Sequence, residues 1–95
     1  MNADIEMPKY RSHKVVHALK IASVELDSEV ANAENRDTDG SAIITPEDEG
    51  YLPFRVDCEY VSKHHPKAGG YYVVYQGGYA SWSPADAFED GYTRI

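Results

Sequence analysis

Cysteine is almost missing from this chain: Cys58 stands alone among 95 residues. No internal disulfide and no thiolate zinc cluster can form, and a reducing, cytoplasmic compartment suits such a chain. No apolar run approaches the ~18 residues that cross a bilayer. The opening Met1-Asn-Ala-Asp-Ile-Glu lacks the basic-then-apolar order of a secretory leader. Met7 offers a second start, and the sequence does not choose between Met1 and Met7. Phosphate-cradling glycine loops, a nucleophile elbow and paired-carboxylate motifs are all missing; Gly69-Gly70 and Gly77-Gly78 read as turn punctuation. Aromatics, in contrast, are plentiful, with eight Tyr, two Phe and one Trp in a chain that is 42% hydrophobic. That content excludes wholesale disorder, and the length suits one domain.

Basic residues are the other shortage, with nine Lys and Arg against sixteen Asp and Glu, a formal charge of −7. The excess is concentrated. From Glu25 to Gly50 nine acids face one base, Arg36, so this stretch carries −8. The remainder, with seven acids and eight bases, is close to neutral. Such a chain repels nucleic-acid phosphates, whose binding rests on Lys and Arg releasing counterions. Stacking of the tyrosines on single-stranded bases would need a basic groove, and none is visible in the sequence. Direct nucleic-acid binding and membrane association are therefore not expected. The acidic stretch reads first as a solvated loop at about residues 27–50, and second as a surface for a basic protein.

Residues 1–12 read as a flexible lead-in to a single domain over 13–95. Lys14 to Leu26 fits a strand, with Val16, Ala18, Ala22, Val24 and Leu26 on one face, and also fits a helix grouping Val15, Leu19, Ala22 and Leu26. Its β-branched content favours the strand. Ser41 to Thr45 is a short strand stopped by Pro46. Glu47 to Gly50 is an acidic turn, and Tyr51 to Val56 is extended or irregular around Pro53. Asp57 is a helix N-cap for Cys58 to His64, with Pro66 ending the helix. Tyr71–Tyr75 and Tyr79–Trp82 read as a hairpin turning at Gly77-Gly78. A two-residue turn there would pair Val73 with Trp82 and put Tyr71, Val73, Tyr75, Ala80 and Trp82 on the core face. Ser83-Pro84-Ala85-Asp86 has the form of a capping box for a short helix that places Ala87 and Phe88 on the hairpin. The expected fold is thus α+β: a small, mainly antiparallel sheet with a C-terminal β-hairpin and two short helices.

The order Lys14-Val-Val-His-Ala-Leu-Lys-Ile21, Ile44-Thr-Pro-Glu-Asp-Glu-Gly-Tyr51, Lys63-His-His-Pro66, Gly69-Gly-Tyr-Tyr-Val-Val-Tyr75 and Ser83-Pro-Ala-Asp-Ala-Phe88 resembles small accessory proteins of tailed bacteriophages and prophages. The likeness covers most of residues 14–95 and is strongest in the C-terminal third. It implies a phage origin, a small α+β architecture and, with the single cysteine, the cytoplasm of a bacterial host. It implies no activity and assigns no functional residue.

Three constellations have chemical meaning. With Asn35 as the first position of a calcium loop, Asp37, Asp39 and Gly40 fall where oxygen ligands and a glycine belong. The twelfth position, however, is Pro46, and Glu47 comes one residue late, so Asp37, Asp39 and Glu47 are a weak metal candidate beside an ordinary acidic Asp-Gly turn. His64 and His65 are adjacent and diverge in a regular helix; they suit the negative end of its dipole better than a shared metal. Cys58 in a first helical turn could be activated, but Glu59 beside it disfavours thiolate, and no base is spaced to serve it. No enzyme and no cofactor are expected.

The tyrosines point to binding instead, because Tyr and Trp dominate interface hot spots. With the hairpin turned as above, Tyr72 and Tyr79 lie off the core face and form a candidate protein-binding patch, unless the helix at Cys58–His64 or the Lys14–Leu26 strand covers them. Glu47, Asp48 and Glu49 form a second candidate. The expected function is a non-catalytic phage accessory protein that acts by binding a host or phage protein. Two alternatives remain open at this point: an acidic inhibitor or nucleic-acid mimic aimed at a basic host protein, and a self-assembling structural protein, such as a homodimer.

Overall fold

In the computed structural model, residues 7–11 and 14–95 are described. The elements run β1 (Lys9–Arg11), β2 (Val15–Leu26), α1 (Asp27–Ala33), β3 (Ala42–Pro46), β4 (Phe54–Val56), α2 (Cys58–His64), β5 (Tyr71–Val74), β6 (Ala80–Ser83), α3 (Ala85–Gly91) and β7 (Thr93–Arg94). The α+β class holds, with the described strands all pairing antiparallel. No helix among the described residues is long and apolar enough to cross a membrane.

Strand β2 is the organiser. Its first half pairs with β1, its middle with β5 and its second half with β3. The strand order is β4-β3-β2-β1-β7, with β5 and β6 attached to β2's other edge. Alternation along β2 is broken once, where its register against β3 shifts between Ile21 and Ser23. One extra residue there reverses which side chains face which way. Val16 and Ala18 consequently join Tyr71, Val73 and Phe88 in one buried cluster. Ile21, and beyond the bulge Val24 and Leu26, join Ala42, Ile44, Val56 and Tyr60 in a second. Unbroken alternation had placed Val24 and Leu26 with Val16; the bulge overrides it.

Helix α3 covers the first cluster through Phe88, which is 2% exposed. Its ring stacks on Tyr71 at 4.2 Å and on Tyr92 at 4.7 Å. Ala87, expected beside it, is exposed. The Ser83 capping box does not form: Pro84 occupies the N-cap with extended backbone and no side-chain cap. The Ser83 hydroxyl instead donates to the Pro84 carbonyl at 3.2 Å. Proline's missing N–H makes no demand at that position, which is why the helix can begin one residue later than expected. Helix α2 covers the second cluster through Tyr60, and Asp57 caps it as expected, accepting from the Tyr60 N–H at 2.9 Å.

The polar segment at 27–50 contains more structure than a loop. Asp27 and Glu29 occupy the first turn of α1 and complement its dipole. The helix ends in a Schellman motif: Asn35 is left-handed (φ 60°), its N–H reaches the Asn32 carbonyl, and the Arg36 N–H reaches the Ala31 carbonyl at 2.9 Å. A third short helix therefore stands where two were expected. The lead-in expected over residues 1–12 is likewise corrected at Lys9–Arg11, where β1 is paired on both sides by β2 and β7; residues 1–6 and 12 lie outside the described residues. Pro46 is the last residue of β3 rather than its stop, and the next N–H, of Glu47, supplies the bond to the Lys20 carbonyl at 2.8 Å.

The hairpin register is also one residue away from expectation. Tyr72 pairs with Trp82, and Val73 with Ser81. The turn holds three residues, Gln76-Gly77-Gly78, closed by the Tyr75 N–H to the Tyr79 carbonyl at 2.9 Å. Gly78 alone in it is left-handed, at φ 86°, the geometry of a three-residue turn with a bulged glycine. Trp82 thereby moves to the side of Tyr72 and packs against the second cluster. There its ring lies on Gly70, where an added Cβ would collide with it.

This contact makes a testable distinction between two neighbouring glycine pairs. Gly70→Ala should destabilise the fold by about 1–3 kcal/mol, the usual cost of overpacking a filled site. Gly77→Ala, which meets nothing within 4 Å, should stay within about 0.5 kcal/mol of the parent. Urea unfolding followed by Trp82 fluorescence measures both.

Candidate functional site

The acidic stretch divides into a part paired with bases of the same chain and a part that follows β3. Asp27 is the hub of the paired part. Its carboxylate accepts from Arg36 Nη2 at 2.9 Å, from Thr38 Oγ1 at 2.8 Å and from the Asp39 N–H at 3.4 Å. Arg36 also donates to Glu34 at 2.8 Å and to the Asp37 carbonyl at 3.2 Å. The Arg36 and Thr38 hydrogen bonds hold the Asp27 carboxyl well below the usual carboxylate range, and the Asp27 and Glu34 bonds push the Arg36 guanidinium up. Asp39 accepts from the Ser41 hydroxyl and N–H, which lower its pKa, and from Arg55 at 3.2 Å.

The metal candidate does not converge. Asp39 faces Ser41 at the start of β3, whereas Glu47 follows its far end, with the whole five-residue strand between them. At about 3.3 Å per residue these carboxylates are too far apart to share an ion. No group of three metal-ligating side chains occurs among the described residues. His64 lies against Tyr60 at 4.8 Å between ring centroids, and burial, then Lys63, lowers its pKa. Cys58 is exposed.

The second part is the exposed turn Glu47–Gly50 and the residues after it. Asp48 accepts from the Gly50 N–H at 2.9 Å, and the Tyr51 N–H reaches the Asp48 carbonyl at 3.2 Å. Leu52 follows, 81% exposed. A depression of about 290 Å³ adjoins this turn, bounded by Tyr10, Tyr71, Lys20, Arg94, Glu47 and Asp48. Lys20 there donates to Glu89 at 3.4 Å, and Glu89 also accepts the Tyr71 hydroxyl at 2.8 Å, the bond that chiefly lowers the Glu89 pKa.

The two tyrosines expected to share a patch have different surroundings. Tyr72 is half-buried, with its ring 4.8 Å from Phe54 and 5.6 Å from Tyr60. Burial raises its pKa. It is part of the second core, because α2 and β4 cover its face of the hairpin, which is also the face Trp82 now shares. Tyr79 is 49% exposed. Its ring runs nearly parallel to that of Tyr75, 6.2 Å away, and its hydroxyl lies 3.2 Å from His64 Nε2. Lys63 Nζ sits 4.9 Å from the Tyr79 ring, and Lys14 Nζ 5.2 Å from the Tyr75 ring.

No family model matches the chain, and no curated protein matches it. Among solved structures it is similar to the monomeric form of the phage L decoration protein, determined in solution by NMR. The two are 25% identical, with a TM-score of 0.64 over 97% of this chain. The likeness is to a phage protein. It agrees with the resemblance carried by the sequence. The chain spans 63% of the length of that structure.

Sequence reasoning missed the grouping of Lys14, Lys63 and Tyr75 with Tyr79, since three different elements bring these residues together. It also missed the Arg36–Asp27 pair, whose signal was there: one base inside a run of nine acids.

Two outcomes follow from this geometry. Asp27 has a depressed pKa in the fold and about 3.9 when unfolded, so the stability it contributes is present above that value and is lost as pH falls further. Asp27→Asn should thus be less stable than the parent at pH 7, with the gap closing as the pH drops below about 4; thermal melts across this range read it. Tyr72→Ala should cost about 2–4 kcal/mol of stability, and Tyr79→Ala under about 1 kcal/mol, compared by chemical unfolding.

Proposed function

We propose that this chain is a structural protein of a phage particle that decorates the assembled head, binding protein rather than catalysing a reaction. The observation that carries this reading is the fold-wide likeness to the phage L decoration protein, at 25% identity over nearly the whole chain. A decorating protein works by presenting a preformed surface to a repeating lattice, where rigidity reduces the entropy lost on binding. This chain has such surfaces in the pinned Glu47–Glu49 turn with Leu52, and in Tyr79. On this reading the chain ends on the particle surface rather than remaining in the host cytoplasm, and its protein partner is the coat lattice. The acidic-mimic alternative has less support, because Asp27, Glu34 and Asp39 face Arg36 and Arg55 of the same chain. Self-association remains compatible with decoration and is read out by the same assay.

Purified heads of the encoding phage, stripped of this protein, should capture it in co-sedimentation with saturable stoichiometry, while unassembled coat protein should not. Recovery of the chain in the supernatant at every concentration would remove the proposal.

A further inference from the structure

Lys20, Arg36 and Arg55 each face a carboxylate, and Lys20 also lies over the Tyr71 ring. Lys14 and Lys63 differ: each ammonium lies over a tyrosine ring, and neither has a carboxylate partner among the described residues. Glu59, one turn before Lys63 on α2, makes no ion pair with it. The two rings are those of Tyr75 and Tyr79, aligned within 22° of each other across the hairpin closure. The result is a row, Lys14, Tyr75, Tyr79, Lys63, ending at His64 beside the Tyr79 hydroxyl. In a protein of charge −7, this is a cationic surface on an aromatic floor.

We infer that the Lys14–Tyr75–Tyr79–Lys63 row is the docking surface for an acidic segment of the head's coat protein. The inference deepens the decoration reading and rests on it. Its argument is charge complementarity. Carboxylates seated between two ammoniums would find them held over rings, which restrains both lysines and leaves their N–H donors facing out. Tyr79 supplies an exposed aromatic anchor of the type that dominates interfaces. The three-residue glycine turn beside the row adds no side chain bulkier than Gln76, so a partner chain can approach closely. A nucleic acid would present anionic charge too, but the remainder of this chain repels phosphate at long range, whereas a short acidic peptide segment engages the row locally.

The test has two arms. In the first, parent protein, Lys14→Glu/Lys63→Glu, Tyr79→Ala and, as a control on the exposed face of α3, Asp90→Asn are each co-sedimented with stripped heads, after melts show that all are folded. The charge reversal and Tyr79→Ala should each weaken binding about tenfold or more, and Asp90→Asn should bind like the parent. Parent capture with full binding by the charge reversal would overturn the inference and leave decoration standing. Failure of the parent itself to bind heads would remove decoration. The second arm then decides the row alone: NMR titration with a polyglutamate peptide should shift Tyr75, Tyr79 and Lys63 resonances, in a salt-dependent way, in the parent and not in the charge reversal. Silence at these residues, or stronger binding of an oligothymidylate at the same row, would overturn it.

Discussion

A twelve-residue strand this long cannot keep one face dry from end to end in so small a protein, and the bulge after Ile21 resolves that constraint. Before it, β2 buries Val16 and Ala18 under Phe88; after it, Val24 and Leu26 turn to the side already occupied by Ile21. Each half then needs its own cover, and each receives one short helix. Were the alternation unbroken, the hydrophobic residues of the second half would face away from Ile44 and Val56. The hairpin and the three-stranded β2-β3-β4 ladder could not both pack on the same strand.

The C-terminal hairpin and the Asp57-capped helix were legible because each rests on local chemistry: paired glycines between β-rich runs, or an acid before a helical turn. The register was not, because Gly77-Gly78 serves a two-residue or a three-residue turn equally well, and the choice is made by what Trp82 packs on. Its ring needs the flat backbone of Gly70, a neighbour that no pattern within the hairpin reveals. The one-residue shift moved Ala80 and Trp82 from the face of Tyr71, Val73 and Tyr75 to that of Tyr72, so Tyr72 is packed into the second core while Tyr75 stays against the first. Tyr79 remained exposed because it lies at the turn, where either register leaves it uncovered.

Charge was misread in a related manner. A run of acids with one base looks like a solvated loop when only counted. In three dimensions the single base is the centre of the run: Arg36 reaches back to Asp27 and Glu34 and closes the Schellman turn. Much of the apparent acidity is thus internal to the α1–β3 connection. Exposed charge of both signs remains, in an acidic turn at Glu47–Glu49 and, elsewhere, in a small cationic row, so the surface of a strongly acidic chain is electrically uneven.

The pairing of β1 with β7 has one more consequence. Tyr10 stands opposite Arg94, and the Ile95 N–H donates to the Lys9 carbonyl at 2.9 Å. Both ends of the described fold consequently leave from a single edge of the sheet. A fluorophore, an affinity handle or a fused domain attached after Ile95 would hang from that edge, so such an attachment sets one orientation of the molecule on any surface to which it is tethered.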